Sequence, residues 1–407
     1  MRVLLTTYGS RGDVEPLVGL AVRLQAIGVE ALVCAPPDRD FADLLDRAGV
    51  PLVPAFSSVR EWVTKALENK AAVDLPTRAA EIVAAQYEAL LPAARGCDLI
   101  LATGLFPSTA AAQAVAERLG IRYVYATYCP IWLPSTQHRP QPFPGHPVPA
   151  EVTDNRLLWD LNVETMNAIF GGGINALRIS IGLPPIDNVR DHVFTDRPWL
   201  ASDPVLSPWQ PTDLREVVQT GAWILPDQRP LRAELLAFLD AGSPPVYVGF
   251  GSMPMQAARD AAQVAVAAIR AQGRRAILLH GWADLTLGDD QQDCFLVGEV
   301  NQQALFGRVA AVIHHGGAGT TTAAGRAGAP QVIIPQIGDQ PYWAARVAEL
   351  GIGAGHDGPT PTIETLSTSL AIALAPETRT RAAHVAGLVH ADGAAVAAQM
   401  LIDMIGR

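Results

Sequence analysis

Residues 314–340 read HHGGAGTTTAAGRAGAPQVIIPQIGDQ and follow an apolar run, Val309 to Ile313. A strand that empties into a glycine-dense turn, then a Thr-rich helix, then a Pro-bounded second strand is a βαβ unit. Such a unit requires a parallel sheet with covered faces. The same stretch suits an anion. Glycines let backbone approach closely, Thr320 can cap the helix start, and the helix N-terminus offers N–H groups of partial positive charge. His315 adds a donor, neutral or charged. One βα step later, Asp339 and Gln340 pair an acceptor with a donor, which suits sugar hydroxyls. Anion and sugar recognised side by side point to a sugar nucleotide.

A chain of 407 residues is long enough for two domains. Hydrophobic content of 49% and mean hydropathy of +0.18 mark a well-cored globular protein. A net charge of −10 argues against nucleic acid or anionic membrane as partner. The N-terminal run MRVLLTTYG is too short for a signal peptide, and no apolar stretch reaches the roughly 18 residues of a membrane span. The expectation is a soluble, cytoplasmic protein. Cys34, Cys97, Cys129 and Cys294 lack paired spacing and read as free thiols.

Two similar halves follow from the pattern. Val3–Thr7, Val29–Ala35, Leu99–Thr103 and Tyr123–Thr127 are predicted strands of the first. Between the first two, Pro16 suits an early helical position and Gly28 a helix C′ cap. Pro245–Phe250, Arg275–Leu279, Cys294–Val300, Val309–Ile313 and Gln331–Pro335 are predicted strands of the second, with helices over Ala261–Gln272 and Thr320–Arg326. Strands alternating with helices give two doubly wound α/β domains. Five prolines in 203–230 mark the crossing. The predicted division is a first domain over 1–207, a linker over 208–218, a second domain over 219–385, and a C-terminal helix over 386–407 that packs back toward the first. Residues 133–155 form a Pro-rich insertion, either a functional cover or a surface loop.

Several side chains sit where doubly wound folds place reactive groups. Asp13 follows the first strand; it is either a general base or a helix N-cap. An Asp is a weak base for an alcohol but adequate for a phenol. Ser10, Arg11 and Gly12 share the turn after that strand, and Arg11 offers five donors to a diphosphate unless it is simply solvated. Gly249, Gly251 and Ser252 form the equivalent turn of the second half, with Ser252 placed to donate to a phosphate. His314 reads as a strand-end residue that packs locally. Adjacent strand residues point to opposite faces, so His314 and His315 do not share a metal. Asp38-Arg39-Asp40 superficially offers a D-x-D metal pattern, but following Pro36-Pro37 and preceding FADLLDRAG it reads as a charged helix start. No metal and no cofactor are expected.

GSRGDVEPL at 9–17, DPVLSPWQPTDL at 203–214, QTGAWILPD at 219–227, GFGS at 249–252 and GRVAAVIHHGGAGTT at 307–321, in this order, resemble the glycopeptide-antibiotic glycosyltransferases of the vancomycin and teicoplanin group. HHGGAGT with PQIGDQP resembles the donor signature of the wider family 1 inverting enzymes. The likeness covers nearly the whole chain. It implies a GT-B fold, two Rossmann-like domains facing across a cleft, acceptor bound by the first and nucleotide sugar by the second. It implies that Asp13, aligned with a catalytic His of the plant-type enzymes, is the base. Ser10, Arg11, Gly12, Ser252, His315, Gly317, Gly319 and Thr320 would hold the diphosphate. Val300 and Gln302 would frame the nucleobase, and Asp339 and Gln340 the sugar. Many relatives carry a stacking Trp where this chain has Glu299, which leaves uridine and thymidine both open. Trp282 could supply an aromatic wall, but it reads better as a buried core Trp. The implied reaction moves a hexose, glucose or N-acetylglucosamine before a deoxyaminosugar, from a UDP- or dTDP-sugar co-substrate to a hydroxyl of a heptapeptide aglycone. It needs no metal, and the enzyme is expected to be a monomer. A macrolide or polyketide acceptor, or sugar-nucleotide 2-epimerase chemistry, are the alternatives.

Overall fold

The computed structural model describes residues 1–62, 74–251, 256–280 and 292–406, with backbone alone at 256–260. Its first sheet contains β1 (Arg2–Tyr8), β2 (Glu30–Ala35), β3 (Leu52–Pro54), β4 (Leu99–Gly104), β5 (Arg122–Thr127), β6 (Trp199–Leu200) and β7 (Val218–Gln219). They lie in the order β3-β2-β1-β4-β5-β6-β7, every pairing parallel. The second contains β8 (Val246–Gly249), β9 (Ala276–Leu279), β10 (Cys294–Val297), β11 (Ala311–His314), β12 (Gln331–Ile333) and β13 (Gly353–Gly355). Its order, β10-β9-β8-β11-β12-β13, repeats the first sheet through six strands. In both, the order reverses beside the first strand, between β1 and β4 and between β8 and β11. That reversal opens a crevice at the strands' carboxyl ends.

Both faces of each sheet are covered, which explains the apolar runs. Val3 and Leu5 belong to one core cluster and Leu4 to another; Val246 and Val248 likewise lie opposite Tyr247. The strands predicted from sequence are all present, several of them shorter than expected. The pattern does not predict β3, β6, β7 or β13. These have two or three residues, and β3 ends on Pro54 while β13 is Gly-Ala-Gly, so no alternation or β-branched signal marks them.

The first helix begins earlier than Pro16 suggested. α1 (Arg11–Ala26) is closed by a capping box: the Ser10 hydroxyl accepts from Gly12 N (3.3 Å), and the Asp13 carboxylate accepts from Ser10 N (2.7 Å). Arg11 and Gly12 are therefore helical, not part of a turn. Pro16 lies inside α1, where it withholds only the bond that the Gly12 oxygen would have accepted. Gly28, at φ 81°, is the expected C′ residue. The 38–40 acidic pattern is a helix start, with Asp38 the N-cap of α2 (Arg39–Ala48). The helix predicted over Ala261–Gln272 is α3 (Gln256–Ala271).

The chain divides into two compact units, and the crossings differ from a single linker at 208–218. The first unit takes Met1–Ser202, Pro208–Leu225 and Ala391–Arg407; the second takes Asp203–Ser207 and Pro226–His390. Segment 208–225 stays with the first because β7 pairs with β6, and the Gln219 side chain accepts from Trp209 N (2.9 Å) while donating to Ser202 O (2.9 Å). Asp203 turns into the second unit, where its carboxylate accepts from Val205 N and His390 N, both at 2.8 Å.

The last helix of the chain is part of the first unit's core. Ala394, Ala397, Ala398 and Leu401, at helical spacing, are buried there from the C-terminal helix (Gly393–Ile405). Burial of Leu401 alone contributes about 1.5–3 kcal/mol. The helix enters against bare backbone: a Cβ on Gly393 would lie 2.4 Å from the Gly221 carbonyl carbon and 2.6 Å from Ala222 O. Gly393→Ala should thus lower the stability of the first unit by about 1–3 kcal/mol, read as a lower urea midpoint and earlier proteolysis near residue 390. An unchanged midpoint would show that this close approach is dispensable.

Candidate functional site

In the first unit, β1 runs out at Tyr8 and the chain turns at Gly9-Ser10 into α1. The Asp13 carboxylate folds back over this turn. Its Oδ2 accepts from Ser10 N at 2.7 Å and from the Ser10 hydroxyl at 3.3 Å. A Cβ at Gly9 would lie 2.2 Å from that same oxygen. Gly9 is bare so that Asp13 has room. The cap itself is Ser10, so Asp13 completes the cap as its third helical residue instead of being the N-cap. A partner that the sequence did not reveal is Tyr128, directly after β5, whose hydroxyl donates to the Asp13 main-chain oxygen at 3.1 Å. Burial, then the nearby Asp13 charge, push the Tyr128 pKa well above its ordinary value. Arg11 pairs with Glu15 (2.8 Å) one helical turn on, both side chains partly exposed.

In the second unit, β8 runs out at Gly249 and β11 at His314. The His315 ring occupies space that two glycines leave bare: a Cβ at Gly251 would lie 2.8 Å from its Cε1, and one at Gly317 2.7 Å from its Nε2. Gly251, at φ 66°, is also in the left-handed region. At Gly249 the crowding group is Tyr247, whose hydroxyl would lie 2.7 Å from a Cβ. The His315 Nδ1 is buried and has no hydrogen-bond partner among the described residues. Burial pulls the ring pKa down to about 4, so it is neutral at pH 7. Ser252 lies outside the described residues, as does Trp282.

The helix after this turn, α4 (Ala318–Arg326), is capped by Gly317, not by Thr320. Ala318, Gly319 and Thr320 are its first three residues, whose N–H groups have no acceptor within the helix. A Cβ at Gly319 would meet nothing within 4 Å. This is an anion-receptive end, and an uncharged one; His315 brings no positive charge to it.

Asp339 and Gln340, expected to face a sugar, are more committed to the fold than the sequence implied. The Gln340 side-chain oxygen accepts from Gln336 N (2.7 Å) and Ile337 N (3.2 Å), closing the PQIGD loop. Asp339 caps α5 (Gln340–Glu349) and accepts from the Trp343 indole N–H at 2.9 Å. Burial raises its pKa, against that hydrogen bond. Val300 and Gln302 flank Asn301, whose side chain accepts from Ala304 N and donates to Asp227 O and Arg229 O. Glu299 is held by Arg229 at 3.0 Å.

Two other candidates resolve into structure. The Asp38 carboxylate accepts from Ser58 Oγ, Val59 N and Arg60 N at 2.7–3.0 Å. It ties down the 58–60 segment. His138, in the Pro-rich insertion, has Nε2 2.9 Å from Leu133 O and lies edge-on to Trp159 and Trp209. It is partly buried, and that burial lowers its pKa.

Comparison with known proteins places the chain among glycosyltransferases. Residues 288–398 match the family model described as erythromycin biosynthesis protein CIII-like, C-terminal domain. Three relatives from Amycolatopsis orientalis align with all of this chain and 98% of their own lengths. They are glycosyltransferase GtfE, 56% identical, vancomycin aglycone glucosyltransferase, 54%, and dTDP-epi-vancosaminyltransferase, 50%. Among solved structures, the glycosyltransferase of kitacinnamycin is similar with a TM-score of 0.73, at 20% identity over 99% of this chain and 98% of that one.

The two adjacent histidines make the second unit acid-sensitive. Burial holds His315 near 4 and His314 near 3, against 6.5 for a free ring. Between about pH 6.5 and 4 the unfolded chain binds protons that the folded unit refuses, so stability falls as pH is lowered through that window. Calorimetric melting of the second unit should therefore drop between pH 7 and 5, and less steeply in His315→Asn. Equal slopes in parent and variant would mean that His315 protonates freely in the fold.

Proposed function

The chain belongs to the family of nucleotide-sugar glycosyltransferases that includes vancomycin aglycone glucosyltransferase, and from that premise we propose that it moves a glucose-type hexose from a UDP- or dTDP-sugar to a hydroxyl of a heptapeptide aglycone, with inversion. One observation carries the reading. Each unit's switch crevice holds a glycine turn shaped around one reactive side chain, Asp13 in the first and His315 in the second.

The reaction is a single in-line displacement. The acceptor oxygen attacks the anomeric carbon and gives its proton to the Asp13 carboxylate, while the bond from that carbon to the diphosphate oxygen breaks. Negative charge grows on the leaving diphosphate. The N-terminus of α4 and the His315 ring receive it, through dipoles and hydrogen bonds. A bound anion also raises the His315 pKa toward its ordinary value. Arg11 joins by exchanging Glu15 for phosphate, which costs about 0–1 kcal/mol for an exposed pair. Asp339 and the Gln340 amide nitrogen orient the sugar hydroxyls, since the Gln340 oxygen is spent in its own loop. Ser252 adds a phosphate donor, and Val300 and Gln302 frame the base.

No divalent metal enters this scheme. The D-x-D pattern is unsuited to one, because the Asp38 oxygens already accept three hydrogen bonds. Turnover should survive exhaustive chelation; activity lost with chelator and restored by Mg²⁺ or Mn²⁺ would overturn the metal-free account.

Heptapeptide aglycone incubated with a panel of UDP- and dTDP-sugars should gain one hexose mass from a glucose-type donor. Epimerised donor with no mass gain on the aglycone would point to 2-epimerase chemistry instead. Asp13→Asn separates base from cap. The amide oxygen can still accept from Ser10 N, so the fold and donor affinity should hold while transfer falls about 10²–10⁴-fold. A rate within about threefold of the parent is far less than a missing base costs, and would remove Asp13 as base.

A further inference from the structure

His314 ends β11 with its ring fully enclosed, and no role above uses it. Both ring nitrogens are engaged inside the second unit. Gly316 N–H lies 3.1 Å from Nδ1, so Nδ1 presents a lone pair. Nε2 lies 3.0 Å from Gln331 Oε1, so Nε2 carries the proton. Gln331 is itself fully buried at the start of β12, and its amide is oriented from the other end, where Nε2 donates to Thr321 O at 3.4 Å. The Thr321 hydroxyl donates to Gly317 O at 2.9 Å. One placement of protons satisfies all four contacts.

The alternatives are each costly. A proton on Nδ1 would face the Gly316 N–H donor to donor and leave Nε2 without a hydrogen for Gln331. The imidazolium has the same clash, and burial beside His315 disfavours it. Gly316 has little freedom to adjust: it sits at φ 95°, and a Cβ there would lie 2.7 Å from an Ile333 methyl. The turn that holds His315 therefore takes its shape from a ring one residue earlier.

We propose that His314 and Gln331 are positioning residues for the anion-binding turn: Gln331 selects the Nε2-protonated tautomer of His314, and that tautomer holds Gly316 so that the His315 ring sits between Gly251 and Gly317. The inference rests on residues 315–320 being the diphosphate cradle. It assigns function to two residues with no ligand contact of their own. It also revises the sequence-based view of His314 as merely local packing.

The test uses UDP and dTDP as probes, with binding by calorimetry and the full chain throughout. Gln331→Met keeps volume but removes both hydrogen bonds, and should weaken the nucleotide that the parent binds by about tenfold, with KM for aglycone unchanged. His314→Asn can accept from Gly316 N–H in an Asx turn, and should recover most of the affinity that His314→Leu loses. A purely structural role would lower melting temperature in all three variants and leave the affinity of the folded protein alone. In parallel, ¹⁵N-histidine NMR of the parent at pH 7 should show His314 protonated on Nε2 only.

Affinity of Gln331→Met within about twofold of the parent, less than one hydrogen bond is worth, overturns the inference. So does an Nδ1-protonated or charged His314. If His314→Leu fails to fold, Gln331→Met and the NMR tautomer still decide. A parent that binds neither nucleotide overturns the glycosyltransferase reading and this inference with it; a parent that binds while the variants match it overturns this inference alone.

Discussion

Bare backbone at the ends of two central strands is the constraint on which the rest of this protein depends. In a doubly wound sheet the carboxyl ends of the strands beside the switch point are the one place where main chain, helix N-termini and side chains converge. Here the glycines do more than admit a ligand. Gly9 leaves room for the Asp13 carboxylate, and Gly251 and Gly317 for the His315 ring, each at distances that no Cβ tolerates. Asp13 and His315 are thus held by the absence of side chains around them. Their placement is a packing property, enforced by the same close contact that stabilises each turn.

The second consequence is electrostatic. Residues 315–320 carry no fixed positive charge. His315 is neutral through burial, and its Nδ1 is buried without a partner among the described residues. Asp339 has its pKa raised by burial as well. These groups bear a desolvation cost that an anion and a set of sugar hydroxyls would relieve. In the proposed transfer, preorganised dipoles would respond to charge as it develops on a leaving diphosphate, without the reorganisation that mobile side chains require. The acid-sensitivity of the second unit is the same cost seen from the folding side.

Positioning in both units runs through hydrogen bonds made within the fold. Ser10 and Tyr128 hold Asp13 by its carboxylate and its main-chain oxygen. His314 and Gln331 hold the turn under His315. The Gln340 oxygen closes the loop that presents Asp339. The His314–Gln331 network is fully buried, where an unmade hydrogen bond is expensive, while the Ser10–Asp13 bond is exposed and the Gln340 loop bonds are part-buried.

What the amino-acid order determined was what short-range chemistry can encode. The central strands were legible because burial on both faces demands continuous apolar runs. The two turns were legible because glycine clusters at strand ends have few other uses, and their pattern carried the family resemblance across the whole chain. Proton placement and partner choice were decided only in three dimensions. Nothing local distinguishes Ser10 from Asp13 as the cap of α1, or Gly317 from Thr320 as the cap of α4. Gln331 lies seventeen residues from the ring it orients, and Tyr128 lies 115 residues from Asp13. The Gln340 oxygen looked available in sequence and is spent in its own loop in the fold. The short strands β3, β6, β7 and β13, and the several crossings between units, exist through neighbours distant along the chain. Hydrogen bonds and close contacts depend on distance in space, which periodicity along a sequence does not record.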